Sequence, residues 1–188
     1  MGVLDGWRLC PRCGNELELA AGRARCPGCD SIYYANSAPA VEGLLERDGK
    51  VLLAKRQIEP RHGFWDLPGG FLEENEEPLA GLRREFREET GLAVEPVEWL
   101  GTHLEPYDDH FVLGLTWLVR ADGEPHAGDD VGELAFFGPD ELPVEMAFPH
   151  QDALLRDWAG RHEHTASRPS CAQTVLVVTA RKDGPNGS

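Results

Sequence analysis

Three glutamates, Glu85, Glu88 and Glu89, stand in a segment whose apolar residues Leu79, Leu82 and Phe86 recur at i, i+3 and i+7. That period predicts a helix over Glu77–Thr90, closed by Gly91 where a left-handed cap is wanted. On such a helix the three acids share one face. Exposed like charges at this spacing cost ~0.2–0.5 kcal/mol per pair, and no lysine follows at i+4 to dilute them. A divalent cation resolves the conflict, because hard ions such as Mg²⁺ prefer carboxylate oxygens and keep positions open for water and phosphate. The helix is therefore expected to bury Leu79, Leu82 and Phe86 against a core and to aim its acids at an ion.

What precedes and follows this helix fits a mixed architecture. Leu67-Pro68-Gly69-Gly70-Phe71 leads into Glu73, Glu74 and Glu76. Paired glycines let the backbone turn tightly and come close to a ligand, so a carbonyl can complete a coordination shell. Ala40–Arg47 and Lys50–Arg56 are apolar runs joined by Asp48-Gly49, which predicts a type I′ hairpin. Val97–Glu105, Phe111–Arg120 and Glu133–Phe137 read as strands. Phe148–His162 reads as a second amphipathic helix, with Leu154, Leu155 and Trp158 on one side. Runs of strands interrupted by two helices give an α+β sandwich spanning residues 37–162.

The first 36 residues form a separate unit. They hold four of the five cysteines, Cys10-Pro-Arg-Cys13 and Cys26-Pro-Gly-Cys29, separated by 12 residues. Two such knuckles have the spacing of a four-cysteine zinc site, closed and therefore structural. The segment has few large apolar residues, so zinc would supply its folding energy, on the order of 10–16 kcal/mol in small modules. Disulfides need an oxidising compartment, and the N-terminus shows no secretory signal. A redox CxxC would need a βαβ setting that neither pair has.

Charge excludes some partners. The formal net charge is −15, and residues 70–145 carry 20 acids against four bases. Gripping a nucleic-acid backbone takes clustered Lys and Arg, which this chain lacks, and the first 36 residues are neutral overall. The longest apolar runs are four residues, whereas a membrane helix needs ~20. A cytoplasmic protein is expected. Residues 163–188, rich in Ser, Thr, Gly and Pro, read as a flexible tail in which Val175–Val178 is a candidate edge strand and Cys171 an incidental thiol.

Taken together, these residues resemble the Nudix hydrolases, whose box reads G-x5-E-x7-R-E-U-x-E-E-x-G-U with U bulky and apolar. Gly70, Glu76, Arg84, Glu85, Phe86, Glu88, Glu89, Gly91 and Leu92 match in register. Phe86 is bulkier than usual at its place. Gly63-Phe64-Trp65-Asp66-Leu67-Pro68 before the box and Phe136-Phe137…Asp140-Glu141-Leu142-Pro143 after it are also similar. The resemblance implies an α/β/α sandwich, here with an N-terminal zinc ribbon, that cleaves a nucleoside diphosphate linked to a group X with Mg²⁺ or Mn²⁺. It makes Glu85, Glu88 and Glu89 metal ligands, one of them also a candidate base. Arg84 would hold a carboxylate in a bidentate pair, Gly70 would offer its carbonyl, and Glu76 would support them. For a further downstream acid the candidates are Asp130 and Glu133, with Glu105 and Asp109 behind them.

On substrate, a ribbon followed by this domain is similar to the NADH pyrophosphatase branch, but that branch's Ser-Gln-Pro-Trp-Pro-Phe-Pro run is absent from Leu104–Val119. Pro106, 14 residues beyond Leu92, is a near match to ADP-ribose-cleaving members. Phe64, Trp65, Tyr107 and Phe111 are candidates to stack on a base. The expectation is a small nucleotide-type substrate, ADP-ribose-like or dinucleotide-like, with NADH hydrolysis and a non-catalytic nucleotide sensor as alternatives. The ribbon is expected to pack on the larger domain through Tyr33 and Tyr34 and to support a homodimer.

Overall fold

Alternation along two neighbouring strands sets the layers of this molecule. On β4 (Ala38–Arg47), Val41 and Leu45 belong to one buried cluster and Leu44 to another. On β5 (Lys50–Arg56), Leu52 belongs to the first, Val51 and Leu53 to the second. Successive strand residues face opposite sides, so the sheet is apolar on both faces and needs a cover on each. The computed structural model, which describes residues 2–128 and 130–166, supplies both. Helix α1 (Pro78–Thr90) covers one face through Leu82 and Phe86. Helix α2 (Pro149–Ala166) covers the other through Leu155 and Trp158.

The sheet has seven strands in the path β10-β5-β4-β9-β8, with β6 (Trp65–Asp66) beside β5 and β7 (Gly69–Phe71) beside β4. Here β8 is Glu95–Tyr107, β9 is His110–Arg120 and β10 is Val131–Phe137. Only β4 and β9 run parallel; the other pairings are antiparallel. The β4–β5 turn has Asp48 and Gly49 both at positive φ, 52° and 71°, as a type I′ turn requires. Leu79, expected in the buried stripe of α1, is instead 38% exposed. Gly81, Leu82, Phe86 and Thr90 make the buried face. Helix α1 starts at Pro78, whose missing N–H costs nothing at a first turn, and Gly91 (φ 70°) donates to the Arg87 carbonyl.

The first 36 residues carry their own three-stranded antiparallel sheet, β1 (Glu18–Ala20), β2 (Arg23–Arg25) and β3 (Ile32–Tyr34). The four cysteine sulfurs lie within 4.8 Å of one another, Cys10–Cys29 at 3.7 Å and Cys13–Cys26 at 3.4 Å. A tetrahedral zinc with Zn–S near 2.3 Å sets its sulfurs ~3.8 Å apart, so the cluster is compatible with zinc. Tyr33 does not reach outward as expected. Its hydroxyl lies 3.3 Å from Cys10 Sγ, its ring tilts against Trp7, and Tyr34 is 59% exposed. The Tyr33 hydrogen bond lowers the Cys10 pKa to about 6, favouring the thiolate a metal needs. No helix among the described residues is long and apolar enough to cross a membrane. Helix α2 runs four residues past His162, and Cys171 and Val175–Val178 lie outside the described residues.

Candidate active site

Four strands make the floor of the site. Glu42 sits opposite Gly69 of β7 on one side and Thr116 of β9 on the other. Ala40 sits opposite Phe71 and Gly114, Gly114 opposite His103 of β8, and Val112 opposite Glu105. Above this floor opens a cavity of about 420 Å³. Helix α1 walls it with Arg84, Glu85 and Glu89, the start of α2 with Phe148 and His150, and the loop before β10 with Asp130.

At the α1 end, Arg84 organises the acids. Its Nε and Nη2 donate to the two oxygens of Glu76, both at 2.8 Å. Its Nη1 donates to Glu85 (2.8 Å) and Glu88 (2.9 Å), and Nη2 also donates to the Phe71 carbonyl (3.0 Å). These charge-assisted bonds lower the Glu76 pKa to about 2 and raise that of Arg84. Glu89 accepts the Gly69 N–H at 2.9 Å, yet its burial pushes its pKa up to about 8, with Asp66 and Glu85 adding repulsion. Burial likewise raises Glu85, against the pull of Arg84. A Cβ on Gly70 would lie 2.5–2.6 Å from the Glu85 carboxylate, so only a glycine lets the strand run against that group. Among the described residues Glu89 has no ion pair, and Glu85 shares the single guanidinium of Arg84 with Glu76 and Glu88. That is a donor set a divalent cation fits, with Glu85, Glu89 and the Gly70 carbonyl nearest and Glu88, its side chain 58% exposed, at the rim.

The other predicted acids separate. Asp130 lines the cavity beside Glu89. Glu133 faces away on β10, half-exposed, and pairs with Lys55 at 3.5 Å. Glu105 lines the cavity, while Asp109 is exposed and pairs with His110. Of the aromatic candidates only Tyr107 reaches the cavity, joined by Phe71 and Phe148. Trp65 packs edge-on against Phe137 and Phe64 lies under Arg61, which explains why neither is available.

Sequence reasoning missed a buried polar network at the far end. Glu42, 7% exposed, accepts from Thr116 (2.7 Å), His150 Nε2 (2.8 Å) and Gln151 Nε2 (2.9 Å). Gln151 also donates to Asp66, which pairs with Arg56 at 2.6 Å. Burial works against the charge on Glu42, but His150, His103 and Gln151 together outweigh it and the pKa falls. His150 rises because Glu42 and Glu105 together outweigh its own burial. Ligand atoms of Glu42, His103 and His150 lie within 4.8 Å of one another. The two rings, however, stack with 3.3 Å between centroids and only 13° between planes, so their in-plane lone pairs run side by side and do not converge on an ion. The one available signal was an acid interrupting the apolar run Ala40–Arg47.

The model for the NUDIX domain matches residues 36–158. The chain belongs to the Nudix family. It is similar to the ADP-ribose pyrophosphatase of Methanocaldococcus jannaschii, 38% identical over 128 residues, which are 66% of this chain and 75% of that one. It is also similar to the NAD-capped RNA hydrolase NudC of Pseudomonas aeruginosa, 28% identical over 174 residues, 90% of this chain and 59% of that one. The chain thus spans little more than half of that relative. A Nudix hydrolase of Nitrosomonas europaea shares its fold, with a TM-score of 0.72 at 33% identity, covering 84% of this chain and 93% of that one.

Proposed function

We propose that this Nudix protein hydrolyses the pyrophosphate bond of a nucleoside diphosphate carrying a second, sugar-type group, an ADP-ribose-like substrate, with Mg²⁺ or Mn²⁺ as cofactor. The observation that carries this reading is the desolvated Glu89, with no ion pair among the described residues, beside a Glu85 that packs on the bare Gly70 backbone. A bound divalent ion supplies positive charge to the diphosphate oxygens and Lewis acidity to the attacking water. The chain's own residues do the rest. Arg84 fixes Glu85 and Glu88 by its fork, and Glu76 fixes Arg84. The α1 wall and β7 orient the diphosphate over the carboxylates, since phosphoryl transfer rests on positioning and charge neutralisation. Asp130, which lines the cavity, is favoured as the group that accepts a proton from water over Glu133, which pairs with Lys55 outside it. Water adds to one phosphorus, the bridging P–O bond breaks, and two phosphomonoesters leave. Zinc on Cys10, Cys13, Cys26 and Cys29 serves as a structural staple.

The ADP-ribose-like reading is preferred to a dinucleotide or a capped RNA on geometry and charge. Strand β8 ends at Tyr107 and β9 begins at His110, so a two-residue turn stands where the NADH branch carries its Trp- and Pro-containing run. A polyphosphate chain leaving the cavity would cross the acidic 70–145 surface with few bases to meet it.

Turnover of ADP-ribose and NADH with Mg²⁺ and Mn²⁺, read as phosphate after coupling to a phosphatase, tests the reading. The wild type is expected to favour ADP-ribose. Glu89→Gln, which removes a charge worth about 3 kcal/mol of the barrier, is expected to slow it ~100-fold. Asp130→Asn is expected to lower kcat and Glu133→Gln to leave it alone. Nucleotide binding with no turnover across the panel would make the protein a sensor.

A further inference from the structure

The cavity extends well beyond its carboxylate end. From β7 to β8 there are three strand spacings, ~14 Å at ~4.8 Å each, which leaves room past the diphosphate for the group attached to it. At that far end His103 is held in a way that exposes only its edge. Its ring lies on the bare backbone of Gly114, where a Cβ would come within 1.9 Å of the imidazole. The His150 ring covers its other face at 3.3 Å. Neither face is free to stack on a planar base. Among the described residues no hydrogen bond satisfies either ring nitrogen; the Glu42 carboxylate oxygen Oε1 stands 3.9 Å from Nδ1. His103 lines the cavity, and burial lowers its pKa, so it stays neutral and offers one donor and one acceptor.

Two residues on, Glu105 points to the same side of β8. Its Oε1 accepts the His150 backbone N–H at 2.9 Å and lies 3.1 Å from His150 Nδ1, while no hydrogen bond among the described residues engages Oε2. Its side chain is 14% exposed, at the cavity wall. The surroundings are acidic: Glu42 and Asp66 stand close by, Arg56 is spent on Asp66, Tyr107 and the Pro60 carbonyl, and His150 is spent on Glu42 and Glu105. A phosphate or carboxylate would be repelled here. A neutral imidazole edge beside a carboxylate oxygen instead suits paired hydroxyl groups, which donate to the carboxylate and exchange bonds with the imidazole.

We propose that His103 and Glu105 form the subsite for the uncharged, hydroxyl-bearing sugar of group X and set the enzyme's preference for it. This rests on the pyrophosphohydrolase reading above. The probes are two Mg²⁺-dependent substrates that share ADP: ADP-ribose, and an ADP alkyl ester whose X lacks hydroxyls. The variants are Glu105→Gln, which keeps an oxygen for the His150 N–H, and His103→Ala. Each variant should lose ~10-fold or more in kcat/KM for ADP-ribose, as expected for one hydrogen bond to a charged or buried partner. Each should remain within about twofold of the wild type on the alkyl ester, with an unchanged Mg²⁺ dependence. The inference is overturned if both substrates suffer equally, which marks a structural role, or if neither does. It is also overturned if the penalty follows a change of nucleobase at constant sugar. Absence of turnover of both substrates by the wild type would defeat the pyrophosphohydrolase reading itself, and the subsite with it.

Discussion

Arg84 shows how one side chain turns a repulsive acidic stripe into a ligand set. Its five donors are divided among Glu76, Glu85, Glu88 and the Phe71 carbonyl, so each acid has a fixed oxygen before any ion arrives. Glu76 belongs to the loop before α1, where it accepts the Glu73 N–H at 3.0 Å, and it receives two of Arg84's bonds. Substituting Glu76→Gln keeps the shape and removes the charge that anchors the guanidinium. Partners of this kind, one shell removed from a metal, commonly control its affinity by about 10–100-fold. The Mg²⁺ concentration for half-maximal activity is therefore expected to rise by that factor, with KM for nucleotide little changed. An unaltered Mg²⁺ titration would show that Arg84 holds its pose without Glu76. The box residues were legible because their types and spacing state the chemistry directly. Glu42, His103 and His150 were not, because each is ordinary in its own strand or helix and only the β4–β9–β8 pairing and the start of α2 bring them together.

Between elements, the fit of α1 to the sheet depends on a glycine. A Cβ on Gly43 would stand 2.5 Å from the Phe86 ring, so β4 gives up a side chain to admit an aromatic residue at a box position that more commonly holds an aliphatic one. Gly43→Ala is expected to destabilise the protein by about 1–3 kcal/mol through overpacking. Adding Phe86→Leu should recover part of that loss, because the two residues share one space. Additive losses in chemical denaturation would disprove the coupling. Helix α2 is tied to β4 by His150 and Glu42. His150 is raised above 6.5, so its contribution is present below that pH and fades as pH climbs through the higher folded value. Glu42 is lowered below 4.5, so its contribution is present above that pH and fades only in stronger acid. His150→Gln should thus cost ~3 kcal/mol near pH 6 and clearly less at about pH 8.5, read as the difference in melting temperature from the wild type. A pH-independent difference would mean that shape, not charge, seats the helix. Helices α1 and α2 and the long strands β4, β5, β8, β9 and β10 were readable from their apolar patterns and the Asp48-Gly49 turn, whereas β1–β3 were not. Leu79 was misjudged because helix α1 buries only one side of its apolar stripe, and β6 and β7 were too short to show an alternation.

At the scale of the whole chain, the buried apolar side chains are unevenly divided. Residues 37–162 hold both apolar clusters, and no residue of the first 36 belongs to either. Among the described residues the strands β1–β3 pair only with each other, and the buried side chains there are Leu4, Ala24 and two of the cysteines. So small a core cannot offset the entropy of ordering some three dozen residues, at ~1–2 kcal/mol each for the backbone alone. On the proposed function, zinc held by the four thiolates would supply the difference. Chelation, or Cys26→Ser, is therefore expected to unfold the ribbon while the larger domain keeps its α1–sheet and α2–sheet packing. Amide exchange should show early loss of protection in residues 10–34 and retained protection in β4, β5 and α1. ADP-ribose turnover at moderate temperature should persist in the zinc-free protein, because every residue lining the cavity lies between Ala40 and His150. A single cooperative transition that moves with zinc, or activity lost in step with the metal, would instead mean that the ribbon braces the catalytic domain, and that the two units are one in energy though separate in sequence.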